Sequence, residues 1–583
     1  MTTNEHTAPA GSFEASDRHL RRALPFEHIL FLCIGSIIGS GWLFASFRSL
    51  VTAGPSAIIT WIVAGFFFIL IGLSFSEMSA ALPRSGGLAR YPELTHGTYA
   101  GWILGWTYWV AAVAVPAIEA EAVVTYMGGK FPGTGFTYVS TVRGQHLVLL
   151  GPKGIGFGVG LMLIFLFLNV FGVRLLAEWN RWFTWWKIVI PVTTFCMLFL
   201  VFKGQNFSNY GGFFPLGTGG MFQTLSISGI AFAYLGFRQA IEYGGEGRNP
   251  ARDIPRATIW SVVITTVIYV LLQVGMIGAL NWHSIGIAPG NWGALSGSSW
   301  AATPLYSAMV AAAVPAMLVF GNFLLVDAGI SPAGAGWIYS GTTARASYGL
   351  SVHSYAPKVF QWHNRFGIPW ISVILAFVIG CVLFVPAPSW AEMVGFITSV
   401  TVLTMIIGGM GTAVLRKTAP NLPRPYRLKW FPVLAPAGFL AATEIFYWSG
   451  FATLASVEAC IWVGLPIFTW YYAQRRGWIK PLYGWLLGLV FLGGFVYLNR
   501  MGGWVFVTNP PSPGSWSFGL YDIALSADVL FFCAALWLMA DRELRHHIRS
   551  AGWLVWLILA MFPLSYYGQF GPGTTHAVVF PWG

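Results

Sequence analysis

Charge is scarce in this chain. Only 9% of its 583 residues are Asp, Glu, Lys or Arg, against about 25% in an ordinary soluble domain. No long polar block exists from which a water-exposed domain could be built, so a string of soluble domains is excluded. Cysteine is scarce too. Cys33, Cys196, Cys381, Cys460 and Cys533 lie in apolar stretches without metal spacing and read as small core residues. A P-loop, an HExxH pair and a GxSxG elbow are all missing, so an enzyme has no catalytic group to rest on and no cofactor or metal is implied. No basic–aromatic patch suggests nucleic acid. Residues 1–25 are polar, lack an apolar signal core and read as a cytosolic tail.

What is abundant is apolar length. Hydrophobic residues make up 56% of the chain, 29 of them tryptophan, and the mean hydropathy is +0.66. The fold class is therefore an all-α polytopic membrane protein. Spans are read at 27–47, 54–82, 99–127, 156–173, 182–203, 224–242, 258–281, 305–340, 371–386 and 391–416. Four or five more follow, at 431–452, 456–474, 482–498, 522–540 and, as the optional one, 551–567. The stretch 305–340 is too long for one span and predicts a long, tilted or broken helix.

Basic residues set the orientation. With the N-terminus inside, 24 of the 32 Lys and Arg residues fall in cytosolic segments and 6 in outer ones, Lys187 and Arg238 lying within spans. That bias places the protein in the cell membrane with a cytoplasmic N-terminus and accounts for the net charge of +12. The outer loop 128–155 is read as a packed lid, and TNPPSPGS in loop 499–521 as a flexible turn.

Two spans carry helix-weakening glycines. The first contains GSIIGSG, Gly35 to Gly41, and the sixth contains SISG, Ser226 to Gly229, followed by FAYLGF with Gly236. Gly35-x-x-x-Gly39 is open to two readings: a face for close helix packing, or an unwound segment whose free N–H groups meet a carboxylate and whose free carbonyls meet an ammonium. Interruptions in the first and the sixth span favour the second reading and predict two five-helix inverted repeats, residues 26–203 and 224–416, with helices added over 431–567.

These residues carry a family resemblance. GSIIGSGWLF resembles the first-helix motif of the amino acid–polyamine–organocation transporters, SEMSAALPRSGGLARYPELTHG (Ser76–Gly97) their second-helix and loop signature, and GFRQAIEYGGEGRNPARDIPRA (Gly236–Ala257) their sixth-helix signature. TTARASYGLSVHSYAPKVF (Thr342–Phe360) and RKTAPNLPRPYR (Arg416–Arg427) resemble the exits of helices eight and ten, and the extra C-terminal spans resemble the aspartate–proton symporter subgroup. The resemblance implies a LeuT-type 5+5 inverted repeat with helices 1 and 6 broken. It implies that Ile37, Ser40 and Gly41 bind a substrate α-carboxylate, and that Phe232 and Leu235 frame the site with carbonyls that receive the α-ammonium. The partners it implies are an amino acid and protons.

Ionisable residues inside the membrane are costly and mark function or pairing. Lys187 in TWWKIVIPV either snorkels to the interface or, as the resemblance implies, takes the place of a sodium ion between helices one and eight and couples transport to protons. Asp327, just before Gly329 and Pro332 where a local break is expected, either pairs with Lys187 and joins the proton path or belongs to a satisfied polar network. Glu119 and Glu121 are about 200° apart on their helix, so both cannot face one cavity; structural pairing is the expected role for each. Glu77 and Glu242 are expected in salt bridges at cytosolic helix ends. Arg238 either pairs with Glu242 or a span-three glutamate, or meets an anionic substrate side chain. Relatives often carry GFE where this chain has GFR, and the reversed charge points to an acidic amino acid.

Overall fold

Backbone groups in lipid must be satisfied within their own segment, which leaves helices as the economical solution for apolar stretches of this length. The computed structural model describes residues 24–84, 86–142, 145–170, 173–366, 368–384, 389–502 and 518–570. Most of the tail, Arg143 and the TNPPSPGS turn lie outside the described residues.

The first span is α1 (Phe26–Ile37) and α2 (Gly41–Ala53), separated by Ile38–Ser40. There follow α3 (Ala57–Ala81), the short helix α4 (Gly87–His96) and α5 (Thr98–Lys130). The loop after α5 forms an antiparallel hairpin of β1 (Thr137–Val142) and β2 (Gln145–Leu150), in which Val139 faces Val148. Leu147, Leu149 and Leu150 are buried, so β2 packs against the body of the protein. Helices α6 (Pro152–Asn169) and α7 (Val173–Phe199) complete the first half.

The sixth span is α8 (Gly217–Ile227), α9 (Ile230–Tyr234), a 3-10 turn over Leu235–Arg238 and α10 (Gln239–Glu242). After it come α11 (Pro250–Ala279), the short outer α12 (Trp282–Ile285), α13 (Pro304–Ala311) and α14 (Pro315–Val352). Then follow α15 (Trp370–Leu383), α16 (Trp390–Met405) and α17 (Ile407–Thr418). The C-terminal helices are α18 (Phe431–Tyr447), α19 (Phe451–Ile467, running on as a π-helix over Phe468–Ala473), α20 (Pro481–Gly502), α21 (Phe518–Met539) and α22 (Arg542–Phe570). Among the described residues, five helices therefore follow residue 430.

Among the described residues, 11 stretches are long and apolar enough to cross a membrane, or 12 with the bent pair of the sixth span. Three expected spans are shorter apolar helices: α1 at 12 residues, α15 at 14 and α18 at 17. The expected region 305–340 divides at Ala313, whose φ is 54°, into α13 and α14. Beyond that point α14 is continuous for 38 residues, so the break expected at Gly329 and Pro332 does not form. Proline costs a helix one hydrogen bond, but neighbouring helices hold such helices together in a membrane; Ala328, Ser331, Pro332 and Ala335 are all buried.

Candidate functional site

The interruption of the first span has an electrostatic consequence. A helix end leaves carbonyls and N–H groups without partners, and here side chains from three other helices reach them. The i→i−4 pattern stops after Ile38 N–H donates to Ile34 O. Lys187 Nζ of α7 donates to the Gly35 carbonyl at 2.6 Å, and Tyr269 Oη of α11 to the Ile37 carbonyl at 2.8 Å. The Ser40 N–H donates to Glu119 Oε2 of α5 at 2.8 Å, and the Ser40 hydroxyl accepts from Trp390 Nε1 of α16 at 2.8 Å. Carbonyls thus meet a lysine amine and a hydroxyl, while a freed N–H at the start of α2 meets a carboxyl group, the polarity that the helix dipole favours.

Glycine makes these approaches possible. A Cβ on Gly39 would stand 2.6 Å from Glu119 Oε1 and 2.9 Å from Ala335 Cβ, and one on Gly41 would stand 2.8 Å from Ala233 Cβ. A Cβ on Gly236 would run into the Ile37 backbone nitrogen. The two interrupted spans therefore cross backbone against backbone. The sixth span bends by 49° at Ser228–Gly229, where Gly229 has φ +96°. This lies upstream of the expected Phe232–Gly236. Gly229 supplies the left-handed turn, whereas Gly236 supplies close approach and sits in the 3-10 turn.

Sequence-predicted residues gather around this crossing. Ile37, Ser40, Gly41, Phe232 and Leu235 are all buried at or beside it. Trp390 lies 4.7 Å from Phe44 and 6.2 Å from Phe232 between ring centroids, and Phe44 lies 5.5 Å from Tyr126. These rings pack together beside the crossing.

Arg238 is fully buried on the 3-10 turn. Its Nη1 donates to Thr401 Oγ1 of α16 at 3.2 Å, and its guanidinium carbon lies 5.3 Å from the Tyr108 ring and 5.2 Å from the Tyr339 ring. Its Nε and Nη2 have no hydrogen-bond partner among the described residues. Glu242 does not bridge to it; Glu242 Oε1 instead accepts the Leu88 N–H at 3.1 Å, a tie to α4. The expected salt bridge of Glu242 is thus replaced by a backbone contact, with Arg238 and Arg345 within its electrostatic reach.

Lys187 is fully buried and does not snorkel. Gly334 of α14 leaves room for it, since a Cβ there would stand 3.1 Å from Nζ. Asp327 does not touch Lys187. Its Oδ1 accepts from Trp186 Nε1 and Ser331 Oγ, both at 2.7 Å, while its buried Oδ2 has no partner among the described residues. Glu119 and Asp327 both lie within electrostatic reach of the lysine.

The two span-three glutamates separate as their spacing requires, and of the two only Glu119 has a hydrogen-bond partner among the described residues. Glu119 turns to the first-span interruption. Glu121 is buried with neither oxygen hydrogen-bonded among the described residues, in electrostatic reach of Glu392 on α16. Glu77 does form salt bridges, with Arg416 Nη2 at 2.6 Å and Arg424 Nε at 3.4 Å. Arg345 Nε beside Glu246 Oε1 at 2.6 Å is a further buried ion pair. Sequence reasoning missed Trp390, Thr401, Tyr108, Tyr339 and Tyr269. Trp390 is hidden by the abundance of tryptophan, and the others are unmarked polar residues within apolar runs.

A buried junction with a lysine, a carboxyl group and freed backbone groups is suited to a small zwitterion. Comparison with known proteins agrees. Residues 28–416 match the amino acid permease family. The glutamate/serine transporter AimA of Bacillus subtilis (strain 168) is 34% identical over 459 residues, 78% of this chain and 83% of that one. The aspartate-proton symporter of the same organism is 28% identical over 559 residues, 95% of this chain and 92% of its own, so that match takes in helices beyond residue 416. A gamma-aminobutyric acid permease of that organism is 24% identical over 375 residues, 62% of this chain and 71% of its own. The chain therefore belongs to the amino acid permease family, membrane transporters of the amino acid–polyamine–organocation superfamily rather than enzymes.

Proposed function

We propose that this permease takes up an acidic amino acid, aspartate first and glutamate second, together with protons, by alternating access across the cell membrane with its N-terminus in the cytoplasm. One observation carries the substrate: Arg238 is fully buried with Nε and Nη2 unpartnered. A guanidinium at membrane depth costs at least ~2.5–3.5 kcal/mol, and a carboxylate that takes both free N–H groups offsets that cost with planar, bidentate geometry. The substrate α-carboxylate takes the N–H groups at Ser40 and Gly41, where α2 begins. The α-ammonium takes carbonyls near Ile37, Phe232 and Leu235, and the side-chain carboxylate takes Arg238. Residues 26–203 and 224–416 act as the two inverted repeats, and 431–567 as added helices.

Protons enter through Lys187, with Asp327 beside it. Lys187 holds the Gly35 carbonyl, so loss of its proton releases the first-span interruption. Two relatives support the reading by name, one a glutamate/serine transporter and one an aspartate-proton symporter. The stacking of Arg238 between Tyr108 and Tyr339 favours a second reading, in which the arginine is structural and the substrate is neutral or exchanged.

Proteoliposome uptake decides between them. Wild type should accumulate aspartate under an inward proton gradient without sodium. Arg238→Ala should weaken aspartate by ~2–5 kcal/mol, the cost of losing one partner of a desolvated pair, and Arg238→Lys should restore it only in part. Normal aspartate uptake by Arg238→Ala overturns the acidic-substrate reading in favour of the second.

A further inference from the structure

A cleft of about 400 Å³ opens between the start of α11 and the loop that precedes α18. Arg252, Pro255, Arg256 and Ile259 line one wall, and Pro425 with Tyr426 the other. The volume is within the usual range for a small-molecule site, ~300–1,000 Å³. The transport reading uses none of these residues.

The loop wall is fixed in place. Arg424 donates to the carbonyls of Leu415, Ala419 and Leu422 at 2.7, 2.9 and 2.9 Å, and the Leu428 N–H donates to Glu77 Oε2 at 2.8 Å. The helix wall carries exposed charge. Arg252 is shared with Asp253 at 3.0 Å, its side chain 60% exposed. Arg256 is exposed and has no hydrogen bond or ion pair among the described residues. Arg427 and Lys429 are exposed on the same loop as Tyr426 and add positive charge.

The same helix face continues into lipid. Residues 252, 256 and 260 are spaced by four and share one face. Trp260 is 54% exposed and Val267, further along that face, 57% exposed. Tryptophan at this depth marks the headgroup boundary, and exposed valine beyond it marks the acyl region. The arginines therefore stand where lipid phosphates stand, with Pro255 and Ile259 as an apolar floor below.

We propose that this cleft binds the phosphate headgroup of an anionic phospholipid from the adjacent leaflet, with Arg252 and Arg256 on the phosphate and its acyl chain along the Trp260–Val267 face. Arginine matches phosphate oxygens bidentately. Bound there, the lipid bridges α11, which packs on the first-span interruption through Tyr269, to the loop tied to Glu77.

The test reconstitutes the full chain in phosphatidylcholine nanodiscs with and without phosphatidylglycerol, and counts retained lipid by native mass spectrometry. Wild type should retain phosphatidylglycerol over phosphatidylcholine. Each of Arg252→Ala and Arg256→Ala should weaken retention about fivefold, the effect of one basic residue at an anionic surface, and Arg256→Lys should keep most of it. Equal retention by wild type and Arg256→Ala overturns the proposal. Displacement of phosphatidylglycerol by inorganic phosphate at matched concentration also overturns it, and makes the cleft a site for a free anion. If the alanine variants fail to fold, the comparison of Arg256→Lys with Arg256→Gln decides in the same way.

Discussion

Replacing Glu119 with glutamine asks whether the protein keeps an internal stand-in for its substrate. Glu119 Oε2 accepts the Ser40 N–H at 2.8 Å, a donor that the proposed substrate carboxylate needs. A bound carboxylate must first displace it. Glutamine preserves the shape and can present its carbonyl to the same N–H, while Gly39 leaves space for the other arm. A hydrogen bond to a charged group contributes ~1.5–3 kcal/mol and a neutral one ~0.5–1.5 kcal/mol, so Glu119→Gln weakens the competitor by ~1–1.5 kcal/mol. Aspartate should then bind ~5- to 12-fold more tightly wherever wild-type Glu119 is ionised. Acidification should do the same to wild type by neutralising Glu119, so the pH dependence of binding should flatten in the variant. Binding of labelled aspartate to purified protein, from acidic to alkaline pH, reads both quantities. Wild-type affinity and wild-type pH dependence in Glu119→Gln would refute the reasoning and leave Glu119 a structural cap on α2.

Other perturbations follow from the same geometry. Lys187→Ala removes the 2.6 Å contact to the Gly35 carbonyl and should abolish acid-stimulated uptake in folded protein; uptake that tracks sodium and ignores pH contradicts this. Gly41→Leu drives a side chain into Ala233, 2.8 Å away at Cβ, and should lose binding, measured as aspartate retained by purified protein. Ser40→Ala loses the Trp390 hydrogen bond and should cost only ~0.5–1.5 kcal/mol in the same assay. Glu77→Gln leaves Arg416 and Arg424 poorly matched and should destabilise by ~1–3 kcal/mol; an unchanged thermal unfolding midpoint in detergent argues against this.

The sequence exposes what is expensive and conceals what is shared. Arg238 and Lys187 stand out because a charge inside an apolar run demands a reason. Glu119 stands out equally, but its partner is a backbone N–H 79 residues away, and no spacing rule reaches a partner that exists only after folding. Glycine content points to both interrupted spans but not to which glycine turns the chain: Gly229 takes the positive φ, and Gly236 is demanded by the backbone of Ile37. Pro332 misleads because helix-breaking by proline is weighed against water, and α14 is held by its neighbours instead.

That unbroken α14 has a mechanical consequence. It carries Asp327, Gly334 against Lys187, Tyr339 against Arg238 and Arg345 against Glu246, in that order along one rod. Asp327 and Arg345 are 18 residues apart, so at 1.5 Å per residue a tilt of about 5° pivoting at the aspartate swings the arginine by roughly 2.4 Å. A swing of that size is comparable with the 2.6 Å Arg345–Glu246 contact itself and is enough to pull it apart. Under the proposed transport reading, a proton or substrate that shifts the rod at the Asp327 end would unfasten the Arg345–Glu246 pair at the other, and flexing at Pro332 would absorb the shift.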